Sequence, residues 1–122
     1  MIIGPVIPVL RMFDPQKAQD FYSDFLGFTW LWEHRFADDL PLYAEIAREG
    51  CRLHLTEHHG YATPGSAIRI PVSDVDALAN ELSAKRSRYA RPQPENKPWG
   101  MRELTVIDPS GNRIVFYQEL KA

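Results

Sequence analysis

The sequence predicts an α+β fold built from two β-α-β-β-β modules with curved mixed sheets. Three observations predict it. Most apolar stretches alternate at the two-residue period of strands; only two carry apolar residues at helical spacing; and the same order of elements occurs twice, roughly 60 residues apart. A helix-opening aspartate follows a strand at both Asp14 and Asp74, and strands starting at Arg52 and Asn112 close the two halves. Residues 1–60 form module one and residues 61–122 module two of a single domain. One helix covers one face of each sheet, so the other face is buried against a second sheet or forms a pocket.

Residues 6–12 are apolar, partly β-branched, and read as the first strand. Asp14-Pro15 opens a helix. The carboxylate accepts from free backbone N–H groups, and Pro15 sits where no N–H is required. Ala18, Phe21, Tyr22, Phe25 and Leu26 form the apolar stripe, and Gly27 takes the left-handed conformation that ends the helix. Residues 28–35, 42–48 and 51–57 are the next strands, parted at Asp38-Asp39 and at Glu49-Gly50. His58 to Ser66 is a polar, turn-rich linker. Ala67 to Val72 begins the second module. Ser73 or Asp74 caps a helix with Val75, Leu78, Ala79 and Leu82 on one face. Residues 87–92 are expected as a short strand and Arg91 to Pro98 as a proline-rich loop. Residues 100–107 and 112–118 are the last strands, joined at Asp108-Pro109-Ser110-Gly111.

The 122 residues are 44% hydrophobic and 25% charged, which excludes a disordered or collagen-like chain. Fourteen basic against 16 acidic residues leave a net charge of -2. Such a chain lacks the dense basic footprint that nucleic acid or an anionic membrane requires, so neither is an expected partner. The single cysteine, Cys51, cannot form an intrachain disulfide, and a reduced, cytoplasmic setting is expected. The N-terminus has neither the basic region nor the long apolar run of a signal peptide. No stretch approaches the roughly 20 apolar residues of a membrane span.

Val9-Leu10-Arg11 leading to Asp14, then Phe21-Tyr22-Ser23-Asp24-Phe25-Leu26-Gly27-Phe28, resembles a signature of the vicinal-oxygen-chelate superfamily of glyoxalases, extradiol dioxygenases and bleomycin resistance proteins. Lys97-Pro98-Trp99-Gly100-Met101-Arg102-Glu103, followed by Asp108-Pro109-Ser110-Gly111-Asn112, is similar to the bleomycin-resistance branch. So are Leu53 to Gly60 and Thr63 to Ser66. The resemblance covers essentially the whole chain. It implies the glyoxalase/bleomycin-resistance fold and a homodimer with exchanged strands or helices. The ligand groove then lies between modules of two subunits.

Enzymes of that superfamily hold a divalent metal through ligands from several strands. The resemblance puts those positions near Ile7, Ala67 and Val115, with a further one around Leu53–Leu55. Ile7, Ala67 and Val115 offer no lone pair, and a slip in alignment to Arg69 or Glu119 brings in an arginine that cannot ligate. No metal, cofactor or catalytic residue is therefore expected, and glyoxalase or dioxygenase chemistry, which needs the metal, is disfavoured. His54-x-x-Glu57-His58 has the spacing of a helical zinc motif. The run from Cys51 to Thr56 alternates like a strand, however, and residues four apart on a strand are separated by about 13 Å. Arg52 can lower the Cys51 pKa, but a lone strand cysteine reads as packing. Lys85-Arg86-Ser87-Arg88 suits a solvated helix C-terminus.

The remaining candidates bind. Trp30 and Trp32, two apart on one strand, are expected on the same side, with Trp30 assigned to packing or an interface. Trp32, Tyr43 and Trp99 are expected to converge as flat faces for a small aromatic ligand, each stack worth about 1–3 kcal/mol. His54 alternates with Leu53 and Leu55 and points to the concave face. Gly100, where a missing Cβ admits close approach, Met101, Arg102 and Glu103 complete the expected ligand contacts. The resemblance implies metal-independent sequestration of a bleomycin-type glycopeptide or related aromatic molecule, conferring resistance without chemical conversion. Family binders are markedly acidic, whereas this chain stands at -2. Local acidity rests on Glu33, Asp38, Asp39, Glu45 and Glu103. The alternatives are a metal-dependent glyoxalase- or dioxygenase-like enzyme with a relocated site, and a binder of an unidentified metabolite.

Overall fold

A computed structural model describes residues 1–85 and 91–121. The elements are β1 (Val9–Arg11), α1 (Pro15–Gln19) running into a π-helical turn (Asp20–Phe25), β2 (Thr29–His34), β3 (Tyr43–Arg48) and β4 (Cys51–Thr56). The second half follows with β5 (Ala67–Pro71), α2 (Val75–Ala84), β6 (Glu95–Asn96), β7 (Met101–Ile107) and β8 (Arg113–Glu119). Two four-stranded sheets result, ordered β1-β4-β3-β2 and β5-β8-β7-β6. In each, the edge pair β1/β4 or β5/β8 is parallel and the rest is antiparallel. The two-module mixed-sheet reading holds. Among the described residues no helix is long and apolar enough to cross a membrane.

Local chemistry sets the helix ends. The Asp14 side chain accepts from the amides of Gln16 and Lys17 at 3.0 and 3.1 Å, and Asp74, not Ser73, accepts from the Ala77 amide. Gly27 ends the first helix at φ +78°, a conformation that costs a residue with a Cβ. The first helix widens in its second half, where the Leu26 amide donates to the Phe21 carbonyl five residues back. That wide turn brings Phe21, Tyr22, Phe25 and Leu26 into the core together. One hydrophobic cluster runs through both halves, from Leu10, Phe21 and Leu55 to Leu82, Leu104 and Phe116.

Polar ties join the halves at two places. The buried Asp108 carboxylate accepts from the amides of Ser110 and Asn112, the Asn112 side chain and the Tyr22 hydroxyl, the last at 2.6 Å. Asn112 in turn donates to the Arg11 carbonyl and accepts from the Ser66 amide. Elsewhere the Arg48 guanidinium donates to the Leu26 carbonyl and forks onto both oxygens of Glu81 at 2.7–2.8 Å.

Three expectations are corrected. The first strand is shorter than residues 6–12, because Pro5 and Pro8 have no N–H to donate and Val6 is exposed. The proline-rich stretch is no plain loop: β6 lies within it and pairs with β7. Trp30 and Trp32 do not share a face. A bulge at Leu31 sets Trp30 opposite Ile46 but Trp32 opposite Glu45, which inverts the alternation. Trp30 packs against the core, as assigned. The strand expected over 87–92 falls on residues outside the described ones, apart from Arg91 and Pro92, which are in no strand.

Candidate functional site

Ala44, Ile46, Leu53 and Leu55 are buried. Their strand neighbours Tyr43, Glu45 and His54 therefore occupy the opposite, open face of the first sheet. The bulge adds Trp32 to this face. Trp32 stacks on Tyr43 with ring centroids 6.0 Å apart and planes 15° from parallel, and His54 sits edge-on to both. Tyr61, from the linker, stands edge-on to Tyr43 at 5.8 Å.

Hydrogen bonds lock this cluster. Glu45 is buried, and its carboxylate accepts from the Trp32 indole N–H at 3.2 Å and lies 2.7 Å from His54 Nε2. A carboxylate only accepts, so Nε2 carries the hydrogen, and Nδ1 is hydrogen-bonded with the Tyr43 hydroxyl at 2.6 Å. The hydrogen bond from His54 holds the Glu45 carboxyl below the ordinary glutamate range, with smaller help from Trp32 and Arg52. Burial, followed by Tyr61, raises the Tyr43 phenol. A nucleophile or base needs its pKa brought toward neutrality, whereas here the phenol moves away from it. The arrangement fixes rings rather than activating an oxygen.

The second sheet carries a counterpart. Ile68, Ile70, Leu104, Ile114 and Phe116 face the core, leaving Arg69, Glu103 and Tyr117 on the open face. Buried Glu103 accepts on one oxygen from both Arg69 Nη2 and the Trp99 indole N–H, each at 2.7 Å. Arg69 also lies over the Tyr117 ring at 4.6 Å. The bond from Arg69, then that from Trp99, holds the Glu103 carboxyl below the usual range.

Trp99 rides a tight hairpin. The Gly100 amide donates to the Lys97 carbonyl and the Lys97 amide to the Met101 carbonyl. This is a three-residue loop closed by a left-handed residue, and Gly100 supplies it at φ +82°. A Cβ on Gly100 would touch no protein atom within 4 Å, so within the chain it is the left-handed turn that requires the glycine. Trp32 and Trp99 remain 44% and 60% exposed although their N–H groups are tied. Each half thus presents an indole plate anchored to a buried glutamate.

The expected site divides accordingly. Trp32, Tyr43 and His54 meet on one sheet, while Trp99 joins Glu103 on the other, so the three rings do not converge in one cluster. Met101 lies on the Glu103 side of β7. Arg102 faces the opposite way, held by Asp76 at 2.8–3.3 Å and by Asn96 at 2.9 Å. Its alternation with Glu103 already required that split. Tyr61, Arg69 and Tyr117 were missed as members. Arg69 between Ile68 and Ile70 carries the same signal that singled out His54 between two leucines.

A separate cleft of about 680 Å³ opens between the modules, lined by Phe28, Leu53, Ile68, Ile70 and Phe116 among others, with the Arg48–Glu81 pair on its wall. Cys51 also lines it, and burial pushes its thiol up, away from thiolate chemistry.

The superfamily's metal does not fit these residues. Among the described residues no three His, Cys, Asp or Glu side chains gather to hold an ion. His54 and Glu45 are committed to each other, and Glu57 of the zinc-like spacing turns away to accept from the Leu42 amide.

A model of a family described as "Glyoxalase superfamily protein" matches residues 1–122. The chain belongs to the glyoxalase superfamily. Within that superfamily it lies in the bleomycin-resistance branch. The bleomycin resistance proteins of Geobacillus stearothermophilus and Staphylococcus aureus are 28% identical to it over 95% of this chain and 97% of theirs. The antibiotic binding protein TnmS3 from Streptomyces sp. CB03234 superposes with a TM-score of 0.73, is 27% identical and covers 98% of both chains. The bleomycin-binding protein of Streptomyces verticillus, solved with copper(II)-bleomycin, is 31% identical with a TM-score of 0.66, over 100% of this chain and 99% of that one.

The two anchored carboxylates make this superfamily member's aromatic face pH-dependent. Their folded pKa values lie below the unfolded value of 4.5. The stability they contribute is whole above that value and is lost as pH falls through the folded values. Tryptophan emission should shift to the red as pH falls below about 4.5, where the neutralised carboxyls hold the indole N–H groups less strongly. An emission spectrum unchanged down to pH 3 contradicts the anchoring.

Proposed function

We propose that the protein binds and sequesters a bleomycin-type or related aromatic antibiotic in the cytoplasm and does not convert it. The observation that carries this reading is the pair of exposed indoles, Trp32 and Trp99, each pinned through its N–H to a buried glutamate. A pinned plate loses little freedom when a flat molecule stacks on it, so most of the contact energy is retained. The Tyr43–His54–Glu45 chain adds rigidity without an activated nucleophile. The Streptomyces verticillus relative solved with copper(II)-bleomycin supports the ligand class.

The functional unit in this reading is a homodimer, in which module one of each copy faces module two of the other and the two indole clusters line one groove. The apolar arm of Met1, Ile2, Ile3 and Val6 stands exposed beside the intermodule cleft that Val6 and Pro8 help to line. Burying that arm in the partner's cleft covers both surfaces. Calorimetric titration with copper-free and copper-loaded bleomycin, run beside sedimentation at micromolar concentration, tests the proposal. A folded dimer that takes up one bleomycin per groove, with no change in the drug's mass, is expected. A monomer, or absence of saturable heat with either form, sinks it.

A further inference from the structure

The buried carboxylates of the open faces are already spent. Glu45 is occupied by His54 and Trp32, and Glu103 by Arg69 and Trp99. The exposed ones are Glu95, which is 69% exposed and tied on one oxygen to Lys97, and Glu119, which lies opposite Met101 beside the Trp99 hairpin. The guanidinium groups are in the opposite condition to the buried carboxylates. Arg69 is 47% exposed and donates one hydrogen bond among the described residues, while a guanidinium has five N–H groups to give. Arg52 and Arg113 are exposed on the same open faces.

Position sharpens this. Arg69 and the Trp99 indole donate to the same Glu103 oxygen, so the guanidinium lies at the edge of the Trp99 plate. The Tyr117 ring beneath it keeps it flat and in place. A ring stacked on Trp99 brings its own edge to the unspent N–H groups of Arg69. An acceptor there, whether carbonyl, phenolate, carboxylate or sulfonate, receives a charge-assisted hydrogen bond. An ammonium there meets the Arg69 cation, while the buried Glu103 is already shared by two donors.

We propose that Arg69 determines specificity, selecting planar aromatic ligands whose ring edge carries an anionic or strongly accepting oxygen over equally flat cations. The inference rests on the reading of Trp99 as a stacking plate, and names what that plate accepts.

The test uses two tricyclic probes of similar shape and opposite charge, anthraquinone-2-sulfonate and proflavine, titrated into the wild-type dimer and the Arg69→Gln and Trp99→Ala variants. The wild type should bind the sulfonate at least tenfold more tightly than proflavine. Arg69→Gln should cost the sulfonate about tenfold and leave proflavine unchanged or tighter, the scale of one charge-assisted hydrogen bond. Should Arg69→Gln not fold, wild-type titrations at 50 and 300 mM salt decide, since screening must weaken the sulfonate and not proflavine. Preference for proflavine, or sulfonate affinity indifferent to both Arg69 and salt, overturns the inference. It leaves the binding reading intact if both probes still depend on Trp99. Bleomycin binding with neither tricycle bound also overturns the inference alone. Sulfonate affinity unmoved by Trp99→Ala overturns the stacking reading and the inference with it.

Discussion

Asp108→Ala should destabilise the protein by about 3–5 kcal/mol, lowering its melting temperature by roughly 10–20 °C. The carboxylate is buried and satisfies donors from both halves of the chain. Removing it strands the Tyr22 hydroxyl, which has no exposed surface, and the Asn112 amide. Each buried donor left without a partner costs about 1–3 kcal/mol. Burial first, then the Asp108 charge, raises the Tyr22 phenol well above its ordinary value, so in the native protein its hydroxyl stays a donor. Ser110→Ala is the internal comparison. It deletes only the acceptor of the exposed Phe13 amide and should cost less than about 1 kcal/mol. Urea melts of the two variants check the contrast, and an Asp108→Ala midpoint close to wild type refutes the proposed tie.

Trp99→Ala should weaken binding of the aromatic ligand five- to 150-fold, about 1–3 kcal/mol if base stacking sets the scale. Stability should change little by comparison. The ring is 60% exposed and contributes no core packing, whereas truncating a core tryptophan costs about 3–5 kcal/mol. The lost bond to Glu103 is offset in part because Arg69 still holds that carboxylate. Paired calorimetry with bleomycin and denaturant melts separate the two effects. Lost stability with unchanged affinity would make Trp99 a structural residue and move the search for the groove to Trp32 and Tyr43.

The order of elements, the aspartate caps and Gly27 were legible in the sequence because each rests on short-range chemistry: a strand period, a carboxylate beside free amides, a residue without a Cβ. The face of His54 was legible for the same reason. What escaped depends on the partner strand. Nothing in Thr29 to His34 marks Leu31 as an extra residue, because a bulge is defined by the strand opposite. Three prolines around Glu95 hid a strand that needs only two residues on a sheet edge. The anchoring of the indoles was legible in part, since Glu103 stands four residues from Trp99, yet Glu45 and Trp32 come together only through the pairing of β2 with β3. Arg102 illustrates the opposite error. Its place in a familiar run drew it into the site, while its alternation with Glu103 sent it to the helix side.

The tie between Tyr22 and Asp108 also sets a schedule for synthesis. The two residues are 86 positions apart, and the bond from the Asn112 side chain to the Arg11 carbonyl spans 101. At the usual 5–20 residues per second, the first helix waits roughly 4–17 s on the ribosome before its hydroxyl can meet the carboxylate. During that interval the first half lacks the carboxylate that its Tyr22 hydroxyl meets in the folded protein. Until Asp108 emerges, neither half closes without the other, and a nascent chain that stalls before this residue leaves a half-built core for chaperones and proteases to find.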